Sequence, residues 1–268
     1  MSDTTAIAAG GRIRFRVDGP DDAPALLLSN SLGTTLEMWD PQVTDWARAY
    51  RVIRYDTRGH GGSSAPAGDY TIDDLGLDAL AVLDAAGATN SLVCGISLGG
   101  LTAMWLGVHA PDRVTALVAA NTAARVGTVE RWAERMAKVR DEGMTVVADM
   151  IVGAWFTETF RQREPATVSR FHRMVAGCPP DGYLGCCAAL RDADLREVVG
   201  GIATPTLVVA GEFDTSTPPA AAEDIRSRIG DSTLIILPSA HLSNVECAGE
   251  FTQQAGAFMA ASRSTTHV

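Results

Sequence analysis

The chain has 268 residues, 46% of them hydrophobic and 20% charged, enough for one large domain with a sizeable core and unlike a disordered or fibrous chain. Its formal charge of −10 repels phosphate backbones and anionic bilayers, which argues against nucleic-acid and membrane partners and means that an anionic small substrate needs locally placed arginine or lysine. No apolar run approaches the ~20 residues that span a bilayer, and residues 1–9 lack the basic and apolar stretches of a signal peptide, so a cytoplasmic protein is expected.

Residues 7–17 alternate around Gly10-Gly11 and read as a β-hairpin. Three short apolar runs follow, each ending in a polar, glycine-containing loop. Residues 25–28 lead into Ser29-Asn30-Ser31-Leu32-Gly33, residues 51–55 into Asp56-Thr57-Arg58-Gly59-His60-Gly61-Gly62-Ser63, and residues 91–94 into Gly95-Ile96-Ser97-Leu98-Gly99-Gly100. Apolar strands of this kind, alternating with helical stretches, predict a parallel sheet covered by helices. Thr71 with Asp74 three residues later predicts a helix start, followed by Leu75, Ala79, Leu80, Leu83 and Ala86 at helical spacing. A helix over 98–109 stops before Pro111, and a strand over 114–120 follows. Two more strands, over 206–210 and 234–237, precede a last helix over about 249–261, with 262–268 expected to fray.

Between about 122 and 199 the pattern changes. No Val/Ile-rich strand occurs there; helical patterns carry Trp132, Met136, Met144, Met150, Trp155, Phe156, Phe171 and Met174. The stretch is too long for a strand–helix connection and too apolar for a disordered loop. The expected division is a core of residues 1–122 and 200–268, with 123–199 forming an inserted helical cap. The five cysteines lack the spacing of a disulfide framework or a zinc site, and reduced thiols are expected.

Gly95-Ile96-Ser97-Leu98-Gly99 follows an apolar strand and opens a helix, the setting in which G-x-S-x-G presents a serine nucleophile. A serine hydroxyl needs a base to take its proton, and the base needs an orienting acid. His241 lies just after the strand over 234–237, whereas His60 sits in a glycine-rich turn, His109 at a helix end, His172 in the expected cap and His267 in the tail. Asp214, in the turn after the strand over 206–210, is preferred over Glu212 as the acid, which gives the chain order Ser97, Asp214, His241. The backbone N–H groups of Leu98 and Leu32 are the candidate oxyanion donors.

The segments Asp56-Thr57-Arg58-Gly59-His60-Gly61-Gly62-Ser63-Ser64, Gly95–Gly99 and Gly211–Asp214, together with His241, resemble the α/β-hydrolases over nearly the whole length. That resemblance implies a mostly parallel eight-stranded sheet flanked by helices. More narrowly, Leu28-Ser29-Asn30-Ser31-Leu32-Gly33-Thr34, Met38-Trp39-Asp40-Pro41-Gln42, Cys94–Gly100 and Ala119-Ala120-Asn121-Thr122-Ala123 resemble the 3-oxoadipate enol-lactonases of bacterial aromatic degradation. Asn30-Ser31 stands where many α/β-hydrolases have His-Gly.

The resemblance implies hydrolysis of an anionic enol-lactone through an acyl-enzyme, without metal or organic cofactor. The lactone's carboxylate then needs a donor. Trp132 and Arg125, Arg131 or Arg135, at the start of the expected cap, are candidates; Trp132 fits a core role equally, and each arginine fits a solvated helix face. Met144, Trp155 and Leu184 fit either pocket wall or plain core. A carboxylesterase, a C–C bond hydrolase, a perhydrolase and a non-catalytic ligand receptor on the same scaffold are the alternatives, which the triad alone does not separate.

Overall fold

The computed structural model describes residues 3–265. In chain order the elements are β1 (Thr4–Ala8), β2 (Gly11–Asp18), β3 (Ala25–Ser29), α1 (Asp40–Trp46), β4 (Arg51–Tyr55), α2 (Ile72–Ala85), β5 (Ser91–Ile96), α3 (Leu98–His109), β6 (Val114–Ala120), α4 (Val129–Trp155), α5 (Glu158–Arg163), α6 (Pro165–Ala176), α7 (Pro180–Asp192), β7 (Thr206–Gly211), α8 (Pro219–Arg228), β8 (Ser232–Leu237), α9 (Ser243–Glu246) and α10 (Ala248–Thr265).

Among the described residues the strands form one eight-stranded sheet in the order β1-β2-β4-β3-β5-β6-β7-β8. The β1–β2 hairpin and the β2–β4 pair are antiparallel, and the remaining pairs are parallel. Every residue of β5 and β7 is buried, which is why these strands read as unbroken apolar runs rather than alternating ones. From β3 the chain steps to one side to form β4 and then returns past β3 to form β5. A crevice opens at the carboxyl ends of strands whose connections diverge in this way. The loops after β3 and β5, which carry Leu32 and Ser97, flank that crevice.

Local chemistry sets the helix boundaries. Thr71 caps α2 in a reciprocal capping box with Asp74, and Pro111 follows the end of α3. Helix α10 runs through Thr265, so the fraying expected from residue 262 does not begin there. Ser262 Oγ donates to the Phe258 carbonyl at 2.9 Å within the helix, and Arg263 stands 5.8 Å from the centroid of the Tyr50 ring, which ties this last turn to the body. Residues 266–268 of that expectation lie outside the described residues.

Helices α4–α7 stand between β6 and β7, with α4 packed on α6 and α7. Helix α4 breaks at Gly143, whose φ of 81° and ψ of 174° are not helical. Several hydrogen bonds fasten the layer to the sheet side. The Tyr70 N–H donates to the Gly185 carbonyl of α7 at 3.2 Å, and the Leu242 N–H donates to the Trp155 carbonyl at the end of α4 at 3.2 Å. Trp155, Phe156, Phe160 and Phe171 stack between these fastenings as an aromatic cluster.

Candidate active site

Ser97 sits between the last residue of β5 and the first of α3, with φ 58° and ψ −115°. A non-glycine residue at positive φ costs on the order of 1–3 kcal/mol and persists only where its surroundings impose it. Here they do. The Ser97 N–H donates to the Ala120 carbonyl at 3.0 Å, and its carbonyl accepts from Thr122 Oγ1 at 2.8 Å. A Cβ on Gly95 would collide with the Gly99 carbonyl, and one on Gly99 with the Ser29 carbonyl, so strand and helix cross this closely only with both glycines in place. The first N–H groups of α3, Leu98 among them, are free at the helix N-terminus beside the serine.

Asp214 and His241 come from the loops after β7 and β8. His241 Nδ1 lies 2.8 Å from Asp214 Oδ2, and both side chains are buried. The carboxylate is saturated with donors. Its Oδ1 accepts from the Ser216 and Thr217 N–H groups at 2.8 and 3.0 Å, and its Oδ2 from Thr217 Oγ1 at 2.8 Å and Asn121 Nδ2 at 3.1 Å. Burial raises the Asp214 pKa, but His241 and the Thr217 donors outweigh it and hold the carboxyl below the ordinary value, hence ionised. An ionised acid at Nδ1 keeps that nitrogen protonated and leaves Nε2 as the basic one.

The loop after β3 supplies a second free donor. The Ser31 N–H points to Met38 Sδ at 3.4 Å, the Gly33 N–H donates to His60 Nε2 at 2.8 Å, and the Thr34 N–H donates to the Ser31 carbonyl at 3.2 Å. Among the described residues the Leu32 N–H has no acceptor in this run. His60 fixes the loop as a neutral imidazole: Nδ1–H donates to the Arg58 carbonyl at 3.1 Å and Nε2 accepts from Gly33, while burial pushes its pKa below the ordinary 6.5. Asn30, which stands in place of the more usual histidine, donates to the Tyr55 carbonyl at 2.7 Å and accepts from Trp39 Nε1 at 2.9 Å, and so anchors the loop by its own side chain.

These groups meet in one cavity of about 200 Å³, small beside the ~300–1,000 Å³ of ordinary ligand pockets. Ser97, His241 and Leu32 line it from the sheet side, and Arg131, Trp132, Arg135, Trp155 and Tyr183 from the helical layer. No carboxylate is among its described lining residues. Arg131 is exposed. Arg135 is half-buried and donates through Nη1 to the Tyr183 hydroxyl at 3.2 Å, a neutral partner because burial raises that phenol's pKa. Neither guanidinium is ion-paired within the described residues.

A family model described as the α/β hydrolase fold matches residues 24–247. The chain belongs to the α/β-hydrolase family. This hydrolase is 41% identical over 255 residues to 3-oxoadipate enol-lactonase 2 of Acinetobacter baylyi, covering 95% of this chain and 96% of that protein. It is 36% identical to 3-oxoadipate enol-lactonase 1 of the same organism over 91% of each chain. The crystal structure of the enol-lactonase from Burkholderia xenovorans LB400 superposes with a TM-score of 0.94 at 39% identity, over 96% of this chain and 100% of that one. The chain is thus an enzyme of the hydrolase class, similar to enol-lactonases along nearly its whole length.

Three of the hydrolase's candidate substrate contacts lie elsewhere. Arg125 pairs with Asp194 at 3.4 Å, Met144 is buried in the core cluster and Leu184 packs against that cluster; none of the three is among the described lining residues of the cavity. Trp132 contributes wall rather than a donor, since its indole N–H is taken by the Val126 carbonyl at 2.6 Å. Residues that the sequence did not single out complete the site: Tyr183 under Arg135, Thr217 on Asp214, and Asn121, held at φ 43° with its N–H on the Val209 carbonyl at 2.8 Å. Asn121 directly follows the end of β6, and the tolerance of asparagine for positive φ is the one local signal that could have found it.

Proposed function

We propose that this hydrolase opens 3-oxoadipate enol-lactone to 3-oxoadipate by acyl transfer through Ser97. The observation that carries the reading is the charge of the cavity: in a chain of net charge −10, the space beside Ser97 is lined, among the described residues, by two arginines without an ion-pair partner and by no carboxylate. A small anionic acyl substrate fits that contrast, and the similarity to enol-lactonases supports the ring ester. Helices α4–α7 act in this reading as the cap that recognises the substrate.

Ser97 Oγ attacks the ring carbonyl carbon while His241 Nε2 takes its proton, with Asp214 stabilising the imidazolium. The Leu32 and Leu98 N–H groups receive the oxyanion. As the tetrahedral intermediate collapses, the bond from the carbonyl carbon to the ring oxygen breaks, His241 Nε2 gives its proton to that oxygen, and the enol, still tethered to the acyl-enzyme, tautomerises to the ketone. A water molecule deprotonated by His241 attacks the Ser97 ester and releases the new carboxylic acid, returning the proton to Ser97. Throughout, Arg135 holds the substrate's own carboxylate, positioned by Tyr183, and the exposed Arg131 draws the anion in at the mouth. The reaction belongs to the β-ketoadipate route of aromatic degradation, in the cytoplasm.

The test is loss of the enol-lactone's ultraviolet absorbance with the purified chain, the Ser97→Ala variant and a p-nitrophenyl ester beside it. Rapid lactone hydrolysis that falls by at least about 10⁴-fold in Ser97→Ala, with slower ester cleavage, is expected. Ester cleavage without lactone turnover would move the function to another hydrolase of this fold.

A further inference from the structure

The peptide between Ala240 and His241 fixes where the His241 ring can stand, and Ala240 is gripped from both sides. Its carbonyl accepts from Asn121 Nδ2 at 3.1 Å, and its N–H donates to Glu246 Oε2 at 2.9 Å. Asn121 is in turn held by Ser243 Oγ, which donates to its Oδ1 at 2.5 Å. Glu246 does more than hold Ala240. The same carboxylate accepts the Thr157 N–H, at 3.2 and 3.3 Å from its two oxygens, and the Thr157 hydroxyl. Thr157 caps α5 and comes two residues after Trp155, a wall of the cavity, whose carbonyl accepts the Leu242 N–H at 3.2 Å. One half-buried carboxylate therefore joins the loop that carries His241 to the junction of α4 and α5.

We propose that Glu246 is a positioning residue that sets the His241 loop and the Trp155 wall in register with each other. A carboxylate suits the task. It offers two oxygens to three donors on two separate segments, whereas a glutamine has one acceptor oxygen and an amide that cannot receive the Thr157 N–H. The strength of charge-assisted bonds to backbone N–H groups explains why one side chain holds both segments. The inference rests on His241 acting on Ser97, but not on the identity of the acyl substrate.

The experiment uses the full chain with Glu246→Ala, Glu246→Gln and Thr157→Val, each melted thermally and assayed on p-nitrophenyl acetate and on the enol-lactone. In Glu246→Ala the ester kcat is expected to fall by about 10-fold with KM within about 2-fold, because a small displacement of the base slows chemistry more than binding. Glu246→Gln, which keeps an acceptor for Ala240, is expected to recover most of that kcat. Thr157→Val removes the junction's hydroxyl bond to Glu246 and the α5 cap while keeping the Thr157 N–H bond and the Ala240 side, so it is expected to spare the ester kcat and to raise the lactone KM several-fold. A Glu246→Ala protein that melts earlier yet keeps the wild-type ester kcat would overturn the inference, as would a Gln variant as slow as the Ala variant. Absence of lactone turnover with ester cleavage intact counts against the substrate reading alone, and the ester arm still decides the role of Glu246.

Discussion

On the sheet side of the cavity each candidate catalytic group is held several times over, by backbone and side chains together: the Ser97 peptide by Ala120 and Thr122, and the Asp214 carboxylate by donors on Ser216, Thr217, Asn121 and His241. On the helical side the arginines that line the cavity are held more loosely. Arg131 is exposed, Arg135 rests on a single phenol, and the helix that carries both is interrupted at Gly143. Bond-making tolerates displacements of only about 0.5 Å, so it belongs on rigid strand ends, whereas an ionic grip on a carboxylate works over a looser range. In the proposed reading this difference separates two tasks: the sheet supplies chemistry, and helices α4–α7 supply the choice of substrate.

The harshest way to break the sheet side is Gly99→Ala. Its methyl group would meet the Ser29 backbone, which has no rotamer with which to yield, so a loss of at least about 3 kcal/mol in urea unfolding is expected, with activity lost alongside. A milder probe is pH. His60 is held neutral in the folded chain, with its pKa below 6.5, while the unfolded chain takes up the proton near that value. Its contribution to stability is full above about pH 6.5 and falls as pH drops toward its folded pKa, by at most about 1.4 kcal/mol per pH unit for one proton. Urea midpoints at descending pH are expected to show this slope, and His60→Gln to flatten it. The smallest effect is expected outside the cavity. Arg125→Ala breaks a partly exposed pair with Asp194 and should leave the lactone KM within about 2-fold and stability within about 0.5 kcal/mol.

The same division decides what could be read from the sequence. The strand ends were legible because local rules govern them: apolar runs fix the parallel sheet, glycines two residues either side of Ser97 mark the crossing, and Thr71 with Asp74 marks the start of α2. The turn holding Asp214 and the loop holding His241 follow strands directly, so their positions also came from local pattern. Asn121, Thr217, Tyr183 and Glu246 did not stand out, because what they do depends on partners brought near by the fold; Glu246 reaches Thr157 across 89 positions and Asn121 reaches Asp214 across 93. The sequence offered Arg125, Arg131 and Arg135 as equal candidates and gave no way to tell that Arg125, six residues before Arg131 and ahead of α4, would turn to Asp194. The end of α10 was misjudged for a similar reason, since Arg263 meets Tyr50 only in the folded chain.

The most direct test of the division between chemistry and recognition compares Arg135→Ala with the wild-type chain on the enol-lactone and on its neutral methyl ester. Removing the guanidinium is expected to lower kcat/KM for the anionic lactone by about 10- to 100-fold while leaving the neutral ester within about 2-fold, the loss of one charge-assisted contact. Equal losses on both substrates, or none on either, would contradict the account and return the anion's binding site to another part of the cavity.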